Sequence, residues 1–143
     1  MKLFKKAHNK SVQEFVDNHK VGLEKLSFEN DKPLIERSTD FIAILKYRTT
    51  EEGGRSTSVK SGYRPTIKFP FSTMQTSGMQ NFINKDYVMP GETIEAEIRI
   101  LSVDFLKYQL YENLEFDFRE GNRIIGTGKI IKVINPILIS ASR

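Results

Sequence analysis

Residues 51–65, E-E-G-G-R-S-T-S-V-K-S-G-Y-R-P, constrain the fold more than any other stretch. Three glycines and a proline in fifteen positions stop a helix and mark turns. On either side the pattern becomes strand-like. In 41–48, Phe41, Ala43, Leu45 and Tyr47 fall on one side of a period-two alternation. Ile42 and Ile44 make the other side partly apolar, which predicts a strand buried on both faces. In 66–71, Ile67, Phe69 and Phe71 share a face, and Pro70 confines that strand to an edge or a bulge. The stretch is therefore a strand–loop–strand unit.

The alternation continues downstream. Residues 73–84 are turn-rich, with a short strand expected at 79–83. Met89-Pro90-Gly91-Glu92 suits a type II turn, with proline second and glycine third. In 93–101, Ile94, Ala96, Ile98 and Ile100 face one way and Glu95, Glu97 and Arg99 the other. Leu114, Phe116 and Phe118 alternate with Glu115 and Asp117 in the second half of 107–118. The last strand spans 123–134. Gly126 and Gly128 within it suggest a bulge or a barrel corner. Asn135-Pro136 ends it, and Ile137-Leu138-Ile139 forms an apolar tail that adds to the sheet or covers an edge. Five or six short strands without βαβ units predict an antiparallel barrel or sandwich and exclude a doubly wound nucleotide fold.

The N-terminal part differs in character. Residues 1–10 carry Lys2, Lys5, Lys6 and Lys10 and no acid, and read as an arm for an anionic partner or, more commonly, as a solvated terminus. No 7–15-residue apolar core follows them, so a signal peptide is not expected. Ser11-Val12-Gln13-Glu14 forms a capping box. Val12, Phe15, Val16, His19, Leu23 and Leu26 then lie on one stripe of an amphipathic helix over 11–26, and 27–37 reads as a linker. The predicted organisation is an arm, helix and linker over 1–37 and a β-domain over 38–143.

Composition narrows the chemistry. With 143 residues the chain is long enough for a core, and with no cysteine it has no disulfide, thiolate metal site or cysteine nucleophile. Its two histidines are eleven positions apart and do not share the i, i+4 face of a zinc site, so no metal is expected. Carboxylates such as Glu95 and Glu97 repeat at period two on a strand face and read as solvated, so no catalytic residues are assigned. A net charge of +4 suits a polyanionic partner or an ordinary basic surface. No run approaches a membrane span, and the cytoplasm is the expected compartment.

Five short motifs carry a family resemblance. Glu51-Glu52-Gly53-Gly54-Arg55, Gly62-Tyr63-Arg64-Pro65, Val88-Met89-Pro90-Gly91, Phe116-Asp117-Phe118-Arg119-Glu120-Gly121 and Arg123-Ile124-Ile125-Gly126-Thr127-Gly128 occur in that order over 38–135. In order and spacing they resemble the third, C-terminal domain of bacterial elongation factor Tu. The resemblance implies a six-stranded antiparallel β-barrel, here with an added N-terminal amphipathic helix.

The chain has no G-x-x-x-x-G-K-[ST] phosphate loop. In Gly121-Asn122-Arg123-Ile124-Ile125-Gly126, Thr127 stands where the lysine must be. The expectation is thus a third domain standing alone, without nucleotide or other cofactor. In the resembled family this barrel meets the T-arm backbone of aminoacyl-tRNA, the GTPase domain and the exchange factor. By that resemblance Arg55 matches the arginine that meets tRNA phosphate, Thr57 a neighbouring threonine, and Gly121 the glycine whose backbone lies against the tRNA. Ser56, Ser58 and Val59 depart from the family's histidine, proline and phenylalanine.

The predicted interface is Arg55, Ser56, Thr57, Lys60, Arg64, Lys68 and Gly121, with tRNA or other RNA backbone as partner. Lys46 and Arg48 stand near it. Arg64 and Arg119 are expected to pair with Glu120 or Glu51, and Tyr63 to be a core or lid aromatic. The alternative is a protein-interaction module that binds elongation factor Tu or one of its partners, such as an exchange factor or a toxin, through apolar and acidic surfaces that include Glu95, Glu97 and Asp117.

Overall fold

The computed structural model describes residues 31–141. The basic arm and the helix expected over 11–26, with both histidines, lie outside the described residues. A compact unit begins at Pro33. Within the stretch expected as a linker, Leu34–Glu36 forms a 3-10 turn, and Leu34 and Arg37 are buried.

Eight strands follow: β1 (Phe41–Tyr47), β2 (Val59–Lys60), β3 (Thr66–Lys68), β4 (Gln75–Phe82), β5 (Tyr87–Val88), β6 (Thr93–Ile100), β7 (Glu115–Glu120) and β8 (Arg123–Val133). Six of them close a barrel in the order β1-β6-β4-β3-β7-β8, with every pair antiparallel. β2 and β5 form a separate ribbon, Val59 opposite Val88 and Lys60 opposite Tyr87. Closure pairs both edges of every barrel strand, which removes the open edges that invite aggregation.

The alternation read in the sequence becomes inside and outside. Phe41, Ala43, Leu45 and Tyr47 are buried, as are Ala96, Ile98 and Ile100, and Phe116 and Phe118. Two aromatic groups fill the interior. Phe41, Phe69 and Phe116 sit with ring centroids 5.4–6.3 Å apart, and Tyr47 meets Phe118 at 4.9 Å and Phe82 at 6.4 Å. Such edge-on contacts add modestly to area burial. Met89 to Glu92 makes the expected turn: the Glu92 N–H donates to the Met89 carbonyl at 3.1 Å, and Gly91 has φ of 87°, which suits glycine at the third position.

Three expectations change. The outer face of β1 is not buried, since it is barrel exterior and Ile44 is 37% exposed. β3 ends at Lys68, so Pro70 lies just past a strand paired on both sides. β4 runs eight residues rather than five, Gln75–Phe82, with Gly78 and Gln80 at buried positions.

The glycines of β8 have a packing role. A Cβ on Gly126 would lie 2.2 Å from Cζ of Phe118, and one on Gly128 equally close to Cζ of Phe116. The rings occupy the space that side chains on β8 would need. A register slip does fall beside them, with Phe118 opposite Gly126 and Arg119 opposite Ile124, which leaves Ile125 as the extra residue.

The barrel has two unlike ends. One gathers the loop between β1 and β2, the turn before β3, the Met89–Glu92 turn and the β7–β8 turn. There the Tyr47 N–H reaches the Glu92 carbonyl and the Arg48 N–H the Ile125 carbonyl, both at 2.9 Å. The other end carries the 3-10 turns Leu34–Glu36, Val103–Leu106 and Pro136–Leu138. There the Asp40 carboxylate accepts from the Ile100 N–H at 2.7 Å and from Asn135 Nδ2 at 2.9 Å, tying β1 to both neighbours. The apolar tail covers this end, with Leu138 fully buried and Leu110 bridged to Ile139.

Candidate functional site

The loop end is built around one carboxylate. Glu120 closes β7, where the β7–β8 turn through Gly121 reverses the chain. Its Oε2 accepts hydrogen bonds from the Arg55 guanidinium and the Tyr63 hydroxyl. Its Oε1 accepts from Arg123 Nη2 at 3.3 Å, and Arg123 Nη1 donates to the Gly54 carbonyl at 3.3 Å. Arg55 also lies over the Tyr63 ring, 5.4 Å from its centroid, and donates from Nη2 to Thr57 Oγ1 at 3.1 Å. A single side chain thus pins the 54–63 stretch to the β7–β8 turn, more than fifty positions away.

Local backbone chemistry explains why the segments meet. Glu52 Oε1 accepts from the Thr49 N–H at 2.9 Å, and the Gly54 N–H donates to the Thr49 carbonyl at 2.9 Å. This folds the loop tightly: a Cβ on Gly54 would sit 2.4 Å from the Arg48 carbonyl oxygen. Thr50 Oγ1 then donates to the Arg55 carbonyl at 2.7 Å and orients the arginine inward.

The charges respond to this geometry. Burial pushes the Glu120 carboxyl up, but hydrogen bonds from Tyr63 and Arg55 and the charges of Arg55 and Arg123 outweigh it and hold the group below the ordinary carboxylate range. Burial and the adjacent carboxylate both raise the Tyr63 hydroxyl. Behind the cluster, Tyr47 donates to Gln80 Oε1 inside the barrel, and burial raises its hydroxyl as well. Gln80 Nε2 is buried there with no hydrogen-bond partner.

Of the residues expected at the interface, Arg55, Ser56, Thr57 and Gly121 come together at this rim. Gly121 has φ of 62° and open space where a Cβ would point. Arg64 follows Tyr63 directly and is exposed, with no ion-pair partner among the described residues. The β3–β7 register, Thr66 opposite Arg119, carries it to the level of Gly121. Lys60 sits one turn away, its carbonyl accepting from the Tyr63 N–H at 3.1 Å. Lys68 does not join them: it lies opposite Asp117 on the barrel's outer wall.

The pairing differs from the expectation. Glu120 binds Arg55 and Arg123, while Arg119 holds Asp117 through Nε at 2.7 Å and Nη2 at 3.1 Å. Arg55, expected by resemblance to meet phosphate, is paired with Glu120 and its side chain is 23% exposed, whereas that of Arg123 is 54% exposed. Arg123 was not singled out from the sequence. Its signal was the E-G-N-R turn, which puts a cation three positions after the acid.

The fold is a small closed barrel with Arg55, Arg64 and Arg123 at one rim. Among the described residues no three His, Cys, Asp or Glu side chains gather in a way that could hold a metal, and no helix is long and apolar enough to cross a membrane. The family profile described as elongation factor Tu C-terminal domain matches residues 34–134. The chain belongs to that family, a domain of a translation elongation factor.

Proposed function

We propose that the protein is a non-catalytic module of the translation apparatus that binds tRNA or other RNA backbone through its loop end, in the cytoplasm. The observation that carries this reading is the rim itself. Arg64 and Arg123 are exposed beside Gly121, whose bare backbone allows close approach, and the part-buried network around Glu120 fixes the scaffold beneath them. Guanidinium groups suit phosphate oxygens, and contacts of this kind give affinity without reading sequence. Arg55 contributes by holding the rim in shape and by adding charge.

The test is fluorescence anisotropy of labelled tRNA across salt concentrations. Each phosphate neutralised contributes a slope of about one log unit in affinity against log salt. Arg64→Ala and Arg123→Ala should each lower that slope by about one. No binding at tens of micromolar in low salt (about −6 kcal/mol on the usual scale) overturns the reading.

One observation favours a protein partner as the second reading. At the opposite end, Leu101, Phe105, Tyr108 and Ile139 are 46–55% exposed. Large apolar side chains exposed in number at one end suit contact with a protein. Co-purification that returns a stoichiometric protein and no RNA, lost on Phe105→Asp, would put this reading first.

A further inference from the structure

On the outer wall, β1, β8, β7 and β3 lie side by side. Their register aligns one row of outward residues: Lys46 opposite Thr127, Thr127 opposite Asp117, and Asp117 opposite Lys68. In the next row Ile44 lies opposite Lys129, and Lys129 opposite Glu115. With strands about 4.8 Å apart, the three lysines stand within about 15 Å of one another. A groove of about 540 Å³ lies along these rows, and Ile44, Leu45, Pro70 and Phe116 are among the apolar residues that line it. Thr127, between Lys46 and Asp117 in the first row, is short enough to leave the middle open. The volume falls in the range of small-molecule sites.

The charges in this groove do not cancel. Asp117 is held by Arg119 through both carboxylate oxygens, although Lys68 is its neighbour on β3. Lys68 Nζ instead approaches the Phe69 carbonyl at 3.4 Å. Among the described residues, no carboxylate lies within ion-pair distance of Lys46, Lys68 or Lys129. Three ammonium groups therefore border an apolar floor, with Glu115 the one carboxylate in the groove not engaged by a cation.

We propose that this groove binds an amphipathic organic phosphate, a small molecule carrying a phosphate group on a flat apolar body. Flexible lysines close around a phosphate as point charges. Ile44, two positions from Lys46 on β1 and opposite Lys129, covers the apolar body, and Glu115, on the other side of Lys129, disfavours a second anionic group there, which sets the ligand's direction. None of the rim residues Arg55, Arg64 or Arg123 lines this groove, so the proposal stands or falls independently of RNA binding.

The test uses 2-naphthyl phosphate as the probe, titrated into the full chain and followed by backbone amide chemical shifts. Saturable shifts centred on Thr127, Gly128 and Lys129 are expected, with inorganic phosphate and 2-naphthol each binding roughly tenfold more weakly or less. The Lys46→Ala/Lys129→Ala variant should bind about tenfold more weakly with an unchanged unfolding midpoint, because both side chains point outward. Thr127→Glu should abolish binding, and Arg64→Ala should leave it intact. Shifts that fail to saturate by about 10 mM (above the millimolar limit of weak binding), shifts centred elsewhere, inorganic phosphate or 2-naphthol binding as tightly as the probe, or affinity indifferent to the lysines would each overturn the proposal.

Discussion

Gly126→Ala is the smallest change that should damage this barrel severely. The added Cβ would lie 2.2 Å from Phe118 Cζ, 2.6 Å from Cε2 and 2.8 Å from the Lys46 carbonyl oxygen. Ordinary van der Waals contact begins near 3.4 Å, so the ring must retreat by more than 1 Å. It has nowhere to go, because Phe118 is fully buried and Tyr47 meets it edge-on with centroids 4.9 Å apart. Tyr47 is itself anchored by its hydrogen bond to Gln80. Overpacking of this kind costs about 1–3 kcal/mol, and two obstacles, one of them backbone, put this case near 3. For a domain of this size that lowers the melting temperature by on the order of 10 °C. Phe118→Leu removes the ring atoms that the new methyl would strike and by itself costs about 2 kcal/mol through lost volume. The double variant keeps only the carbonyl contact, so it should cost about 3 kcal/mol rather than the additive 5, a coupling of about 2 kcal/mol. Urea denaturation of the four proteins measures all three values. Additivity within about 0.5 kcal/mol would refute the claim that Gly126 is required by the Phe118 ring.

Other predictions rest on the polar groups. Glu120→Ala strands the Arg55, Tyr63 and Arg123 donors and should cost about 2 kcal/mol in the same denaturation assay. Because folding lowers the Glu120 pKa, its contribution is complete above the unfolded carboxylate range and disappears as pH falls through the folded value; Glu120→Gln should flatten that acid limb in melts recorded from pH 7 to pH 3. Tyr47→Phe leaves the Gln80 amide, 0% exposed, without its one partner and should cost about 1–3 kcal/mol, and adding Gln80→Leu should recover most of it. Gly91→Ala places a Cβ at φ of 87° and 3.1 Å from Thr49 Cγ2, a loss of about 1 kcal/mol readable as a lower urea midpoint.

The parts of the fold legible in the sequence are those where one face is uniformly apolar. β1, β6 and β7 announce themselves because burial on one side imposes period two. β4 was legible only in its second half, since the one buried position of its first half is Gly78, and even in the second half a buried Gln80 breaks the apolar pattern. Glycine is buried there because Ile67 fills its place, a Cβ falling 2.1 Å from Ile67 Cδ1. Gln80 is buried because Tyr47 supplies a donor. Both reasons lie on other strands, where no local pattern can show them. Gly126 and Gly128 were visible as exceptions within a strand, and the bulge beside them was expected. Their main cause, two phenylalanine rings on β7, needs the register. The rim was legible as a set of motifs but not as a network: Arg55 and Glu120 are 65 positions apart, and nothing local selects that carboxylate over Glu51 or Glu52.

That network changes how the conspicuous arginine should be tested. Arg55 sits in the G-G-R motif and invites alanine substitution as the decisive experiment on RNA binding. Its guanidinium, however, already serves Glu120, Thr57 and the Tyr63 ring. Removing it frees Glu120 from a cation, leaves more uncompensated negative charge beside Gly121 and loosens the loop, and each effect weakens anion binding without any direct contact to RNA. Loss of binding in Arg55→Ala is therefore compatible with a contact role and with a purely structural one. Arg64 separates them, because it is exposed at the same rim and holds up nothing else among the described residues. If Arg64→Ala lowers the salt slope while the unfolding midpoint stays fixed, the rim binds phosphate. If only Arg55→Ala acts, and its midpoint falls together with its affinity, the motif is a fold device and the anion site lies elsewhere.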